Sequence, residues 1–214
     1  MFTGIVESVG GIVRVGRSDA GMDLSIDLGS VEPASLKLGD SVSISGVCLT
    51  VTGIQEQSVD VQVSNETIAR TNFGQYSAGT QVNIERPLTL NSPLGGHLVS
   101  GHIDGTATCV SIAADGDSRR IVFEVSGDAL GKFMVQKGSV TIDGVSMTVN
   151  SVVDRESLTQ FDVNVIPHTL SVTTLGLLKV NDSVHIEIDN VARYVNRLME
   201  YYGLERILCD KEGE

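Results

Sequence analysis

The chain has 214 residues, 41% of them hydrophobic and 4% aromatic, with no Trp and a formal net charge of −12 from 15 basic against 27 acidic side chains. So acidic a surface repels phosphate backbones and anionic bilayers at long range, and so few rings leave no stacking platform for bases, which excludes nucleic acid as the main partner. No apolar run approaches the ~18 residues of a membrane span, so no membrane association is expected.

The start, Met1-Phe2-Thr3-Gly4-Ile5-Val6-Glu7, has no basic segment ahead of its apolar residues and does not read as a secretory leader. Short β-rich runs are then predicted at 10–14 and 22–28, bounded by Gly, Asp and Ser. From Ser41 to Thr52 the pattern alternates: Val47, Leu49 and Val51 share one face, Cys48, Thr50 and Thr52 the other. A run at 59–63 leads to Ser64-Asn65, which opens a helical turn ending near Gly74, and a further run covers 81–85. Pro87 to Gly96 reads as a linker.

Beyond the linker the sequence repeats itself. Ser139 to Asn150 matches Ser41 to Thr52 with seven identities in twelve positions. Ser100-Gly101-His102-Ile103-Asp104 matches Thr3-Gly4-Ile5-Val6-Glu7, and Thr169, Thr173, Gly176, Val184, Ile186 and Glu187 match Thr67, Thr71, Gly74, Val82, Ile84 and Glu85. Length changes fall between the matched blocks, where loops tolerate them. Runs at 106–112, 120–125 and 160–166, and a helical turn after Pro167 ending near Gly176, complete the second copy. The expected fold is mainly β: two tandem homologous six-stranded antiparallel Greek-key barrels, 1–96 with the linker and 97–189, followed by an amphipathic helix and tail at 190–214. In that helix Val191, Tyr194, Val195, Leu198, Met199 and Tyr202 recur at helical spacing, a stripe suited either to its own barrel or to self-association. The final residues, Cys209 to Glu214, are expected to fray. The three cysteines, Cys48, Cys109 and Cys209, are widely spaced and form neither a disulfide framework nor a zinc cluster, which points to a reduced, cytoplasmic setting.

The alternation puts Cys48 beside Thr50, and Ser146 beside Thr148, on the face turned away from the barrel interior. Such a row can hold a polar heterocycle by several hydrogen bonds, although a solvated strand face is the commoner origin of the pattern. His102 stands where the first copy has Ile5 and is a candidate for proton transfer; His97 and His168 have no partner in sequence, and His185 reads as an outward strand residue. Lys137 is a candidate for a polar or anionic ligand group. Asn65-Glu66-Thr67 and Pro167-His168-Thr169 occupy matched helix starts, whose free amides favour acceptors. No P-loop, GxGxxG, HExxH or GxSxG occurs, so no cofactor and no metal are expected.

The opening Met1 to Glu7, the paired Gly46-Val47-Cys48-Leu49-Thr50-Val51 and Gly144-Val145-Ser146-Met147-Thr148-Val149, and Gly95-Gly96-His97-Leu98-Val99-Ser100-Gly101-His102 together resemble the riboflavin synthase family of tandem lumazine-binding barrels. The resemblance implies a cofactor-free dismutation of two 6,7-dimethyl-8-ribityllumazine molecules into riboflavin and a ribitylamino-pyrimidinedione. It also implies a homotrimer held by C-terminal helices, with active sites shared between subunits, and it brings lumazine synthase as a candidate partner. Carried over by position, ligand contacts fall on Gly4, Ile5, Val6, Cys48, Leu49, Thr50 and the segment Gln62, Val63, Ser64, Asn65, Glu66, Thr67, all assigned to the first barrel. In the second they fall on Gly101, His102, Ile103, Lys137, Ser146, Met147, Thr148 and the segment Asn164, Val165, Ile166, Pro167, His168, Thr169. The chemistry implied involves His102, Thr148, Ser146, Cys48, Ser41 and Asp189, with Phe2 closing the pocket; His168 departs from the Glu that relatives carry there. The competing expectation is a non-catalytic lumazine- or flavin-binding antenna protein of the same family.

Overall fold

The protein was analysed as a computed structural model that describes residues 1–127 and 129–203; Cys209 to Glu214 lie outside the described residues. Six strands, β1 (Ser8–Ser18), β2 (Gly21–Asp27), β3 (Ser41–Ile44), β4 (Val47–Ile54), β5 (Ser58–Ser64) and β6 (Gln81–Glu85), close into an antiparallel barrel in the order β1-β2-β5-β4-β3-β6. A short helix, α1 (Asn65–Arg70), links β5 to β6. The second copy repeats this with β7 (Gly105–Asp115), β8 (Ser118–Ser126), β9 (Ser139–Ile142), β10 (Val145–Thr148), β11 (Ser151–Arg155), β12 (Leu158–Val165), α2 (Pro167–Val172) and β13 (Ser183–Ile188). Its sheet runs β10-β9-β13-β7-β8-β12-β11, the same cyclic order, with the fourth strand of the first barrel divided into β10 and β11 around Val149 and Asn150. Asn150 still donates to the Asp162 carbonyl at 2.8 Å, so the chain itself bridges the two ends of the sheet.

Period-two alternation accounts for the interiors: Val47, Leu49 and Val51 are buried in one core and Val145 and Val149 in the other, while Thr50 and Thr148 are exposed. The two cores are separate clusters. Between them lies a third buried region that alternation alone does not anticipate. β6 and β13 are buried on both faces, because each barrel covers the outer face of the other's sixth strand.

The β3–β4 and β9–β10 hairpins meet at their tips across this interface. Ser45 and Gly46 (φ +46° and +84°), and Asp143 and Gly144 (φ +45° and +82°), are two-residue turns with both φ values positive. The tips abut so closely that a Cβ on Gly46 would stand 2.7 Å from the Gly144 nitrogen, and one on Gly144 equally close to Gly46. Glycine is required there by both the turn and the contact. Beside the tips, Asn83 of β6 donates to the Asp143 carbonyl and accepts from the Thr174 amide, each at 2.8 Å. His185 of β13 makes the mirror pair: Nδ1 lies 2.8 Å from the Ser45 carbonyl and Nε2 2.8 Å from the Asn72 amide. Those partners demand a neutral imidazole with its proton on Nδ1. His185 does point away from its own barrel interior, but it is 0% exposed because the first copy covers it, near Phe73 and Tyr76.

The segments preceding the barrels cross over. Gly4 accepts from the Ser146 amide at 2.8 Å, and Gly101 accepts from the Cys48 amide at 2.8 Å, so each copy's leading segment pairs with the other copy's fourth strand. Val6 packs against the second core and Ile103 against the first. Buried carboxylates fasten both segments. Glu85 accepts from the Thr3 and Gly4 amides and the Thr3 hydroxyl, and Glu187 accepts from the Ser100, Gly101 and His102 amides. Burial pushes the Glu187 carboxyl up to about 7 against the pull of those amides, and pushes Glu85 up as well.

After β13 the helix α3 (Asn190–Tyr202) is capped by Asp189, whose Oδ1 accepts from the Val191 amide, and ends at Gly203 in the left-handed conformation. It is tied to its own barrel by polar contacts, a bidentate Arg193–Asp104 pair, Asn190 on Ser100 and Leu98, and Lys132–Glu200. Val191, Tyr194, Val195, Leu198 and Tyr202 face away from it and are exposed. None of the helices is long and apolar enough to cross a membrane among the described residues.

Gly101→Ala should be strongly destabilising. The residue holds φ +82°, and its Cβ would fall 2.5 Å from that of Cys48, so strain of ~1–3 kcal/mol adds to a steric clash. Thermal unfolding measures it; an unchanged midpoint would mean the segment is not held as described. Because the folded Glu187 pKa is raised, its contribution is complete below the unfolded value of ~4.5 and lost as pH rises through about 7. The unfolding midpoint of Glu187→Gln relative to the parent should therefore rise between pH 5.5 and 8.5. A flat or falling difference would contradict the burial assigned to this carboxyl.

Candidate functional site

A cavity of about 400 Å³ opens where the crossed segment Gly101–Asp104 lies over Val47 and Cys48, with Glu66, Thr67, Arg70 and Thr71 of the α1 region on its far side and Arg193 of α3 at its edge. Six residues expected at a ligand site meet here: Cys48, Glu66, Thr67, Gly101, His102 and Ile103. Each is placed by a local device. The Ser45-Gly46 turn sets the register that leaves Cys48 half-buried on the outer face of β4, opposite Ser43. The same register puts Ser41 opposite Thr50. Ser64 caps α1 by accepting from the Thr67 amide, and its hydroxyl lies 3.0 Å from that of Thr67. Glu66 and Arg70 pair across one helical turn, Asp104 and Arg193 across the opposite wall, so the polar rim is charge-balanced. His102 projects from a backbone whose amide is held by Glu187.

The matching position in the second copy joins Gly4 to Ser146, with a close backbone approach that leaves no space for a Cβ on Gly4. Here the side chains differ. His97 Nδ1 lies 2.8 Å from the Ser146 hydroxyl and Nε2 3.2 Å from that of Thr141. Burial pushes the His97 pKa down, opposed by the Asp189 carboxylate, so the ring is neutral near pH 7 and available as an acceptor for the serine proton. His97 has no partner near it in sequence because Ser146 is 49 positions further along; the crossed segment brings them together. Ile5 and Ile166 are 49% and 54% exposed, so apolar surface stands open in this copy. Ile166 caps α2 without a side-chain bond, where Ser64 caps α1. Asn164 donates to Asp115, while its buried Oδ1 has no partner among the described residues.

Several expected contacts require correction. Gly4, Ile5 and Val6 belong with Ser146, not Cys48, and Gly101, His102 and Ile103 belong with Cys48, not Ser146, because the leading segments are exchanged. Val63 and Val165 point into the barrel interiors and are fully buried, and Leu49 is buried in the first core, so their side chains face the cores. Phe2 is fully buried in an antiparallel bridge with Val99 and lines none of the cavities described. Asp189 serves as the α3 cap. Lys137 sits at φ +67° in the turn before β9, with Nζ 3.3 Å from Asn150. Met147 is half-buried; Thr169 and His168 lie in α2, where their carbonyls accept from Thr173 and Ser171. Gln62 bonds Asp23 across β2 and β5, and Asn65 bonds the Asp19 carbonyl. A larger cavity of about 580 Å³ lies between the linker and the start of β3, and contains Thr3 and Ile5 but neither Cys48, His102, Ser146 nor Thr148.

A family model for the lumazine binding domain matches the chain twice, at residues 3–87 and 100–189. Among curated relatives, riboflavin synthase of Brucella abortus is 40% identical over 206 residues, covering 94% of this chain and 99% of the relative. Those of Mycobacterium tuberculosis (39%, covering 95% and 100%) and Photobacterium phosphoreum (38%, covering 93% and 89%) are similar. Solved structures of LumP complexed with 6,7-dimethyl-8-(1'-D-ribityl) lumazine and with riboflavin superpose with TM-scores of 0.78 and 0.77, at 25% and 26% identity, each covering 89% of this chain and 100% of LumP. The chain therefore belongs to the riboflavin synthase family and carries its lumazine binding domain in two copies.

Proposed function

We propose that the protein is a riboflavin synthase: it holds two molecules of 6,7-dimethyl-8-ribityllumazine, one per barrel, and transfers a four-carbon unit between them to give riboflavin and 5-amino-6-(ribitylamino)uracil. The observation that carries this is the duplicated junction, Cys48 under Gly101 and Ser146 under Gly4, built from the same backbone bonds but different side chains. A reaction between two copies of one substrate needs two related sites with unlike chemistry.

The C7 methyl of the lumazine is acidic because its anion spreads into the ring, so the protein has orientation and modest proton transfer to supply. Holding both rings in register makes the encounter unimolecular, worth up to ~7–11 kcal/mol. In this reading the lumazine over Cys48 is contacted by His102, Thr67 and Glu66, with the cross-strand pair Ser41 and Thr50 further along the same sheet face. The second lumazine is contacted by Ser146, polarised by neutral His97, with Ile5, Val6, Thr148 and Lys137 nearby.

The exposed α3 stripe supports assembly through the helices into a homotrimer, with the barrel of a neighbour covering Ile5 and Ile166 and completing each active site. Cys48 and Cys109 are free thiols, suited to the cytoplasm. A non-catalytic lumazine binder, favoured by the likeness to LumP, is the second reading.

Purified protein given the lumazine alone should consume two molecules per riboflavin formed, without metal or nucleotide. Absorbance of both species decides it: a ratio near one excludes dismutation, and tight binding without turnover selects the second reading. For assembly, Tyr194→Glu with Leu198→Glu places charge on the exposed stripe without touching the barrel contacts of Arg193 or Asn190. Light scattering should show monomers and turnover should fall at least ten-fold. A trimer, or a fully active monomer, would refute the shared site.

A further inference from the structure

Glu85 and Glu187 are matched residues at the ends of β6 and β13, 5% and 1% exposed; Glu85 lines the larger cavity beside Thr3 and Ile5, and neither lines the cavity that holds Cys48. We propose that they are positioning residues acting crosswise: Glu187, anchored in the second barrel, sets the pocket of the first, and Glu85, anchored in the first, sets the pocket of the second. This rests on the assignment of the Cys48 and Ser146 junctions as ligand sites.

The relay is two hydrogen bonds long in each case. Glu187 accepts from Ser100 at 2.6 Å, Gly101 at 2.9 Å and His102 at 3.1 Å; the Gly101 carbonyl then accepts from the Cys48 amide at 2.8 Å. Glu85 accepts from the Thr3 amide at 2.7 Å, its hydroxyl at 2.8 Å and the Gly4 amide at 3.1 Å, and the Gly4 carbonyl accepts from the Ser146 amide at 2.8 Å. The left-handed Gly4 and Gly101 turn successive amides toward one point, where a carboxyl offers two acceptor oxygens and becomes acceptor-only once ionised. Charge-assisted bonds from buried amides fix the segment more firmly than neutral ones. A glutamine of the same shape offers one acceptor oxygen and turns its own N–H groups against these donors.

The two relays differ where the pockets differ. Glu187 holds the His102 amide directly, whereas the Ile5 amide reaches only the Thr3 hydroxyl, at 3.2 Å. Loss of Glu187 therefore releases the histidine as well as the crossed segment. The charged groups around Glu187 are Asp104 with its Arg193; those around Glu85 are Glu7 with its Arg86.

Amide hydrogen exchange on the ligand-free full chain tests the relay without reference to ligand. In Glu187→Gln, exchange should quicken at least ten-fold at Cys48 and across 100–103, with 3–6 and Ser146 unchanged; Glu85→Gln should give the converse. Riboflavin titration should then show one of two sites weakened ten-fold or more in each variant. Should either glutamine variant fail to fold, Glu187→Asp and Glu85→Asp are read the same way. Equal quickening at both junctions, or none, overturns the proposal and reduces the carboxylates to general packing. If exchange is crosswise but the parent protein binds no riboflavin, the relay stands as a structural device. The positioning of ligand, and the functional reading under it, then fail together. Two intact sites in both variants sink the positioning role alone.

Discussion

The contact between the two hairpin tips, glycine backbone against glycine backbone at Gly46 and Gly144, constrains everything around it. With no side chain to separate them, the two sheets approach until β6 and β13 are covered on both faces. Polar residues on those outer faces must then find partners in the opposite barrel. Asn83 and His185 do so through turn carbonyls and amides, and Glu85 and Glu187 through the crossed leading segments. The cavity over Cys48 and the matching junction at Ser146 lie where those segments cross the fourth strands, so their shape follows from how closely the tips can meet.

This interface is polar at its centre. Buried hydrogen bonds contribute little net stability individually, but leaving one unmade is expensive, so a network satisfied from both sides permits essentially one relative placement of the barrels. A purely apolar seam would tolerate sliding. The two junctions carry unlike side chains, and that restriction holds each set at a fixed place.

Much of this was legible in the sequence. The repeat located both barrels, the alternation around Val47 and Val145 gave the correct faces, and the matched helix starts were found at Asn65 and Pro167. The crossing was not legible, because similarity pairs Gly4 with Gly101 without saying which barrel either one touches. The burial of His185 was not legible either, because alternation distinguishes inside from outside of one barrel and is blind to a second barrel covering the outside. Glu85 and Glu187 were visible as a matched pair but had no evident partner. The available signal was an acid repeated beside Asn83 and His185 on a strand face with no other charge. The His97–Ser146 bond spans 49 positions and depends on the crossing, so periodicity could not reveal it.

The exchange of leading segments bears on how such a chain arises. A lone barrel of this kind leaves its fourth strand's outer amide without the carbonyl that Gly4 or Gly101 provides, and its own leading segment points away. Two separate barrels would satisfy each other only as a reciprocally swapped pair. Joining them through a ten-residue connection from Pro87 to Gly96 converts that encounter into an intramolecular one at an effective concentration in the millimolar range. Fusion also frees the copies to diverge, since a change in one no longer appears automatically in the other, and an isoleucine can become a histidine at a single junction. The tandem chain thus holds the contacts of a swapped dimer within one covalent chain, and its chemical asymmetry is something an identical pair could never acquire.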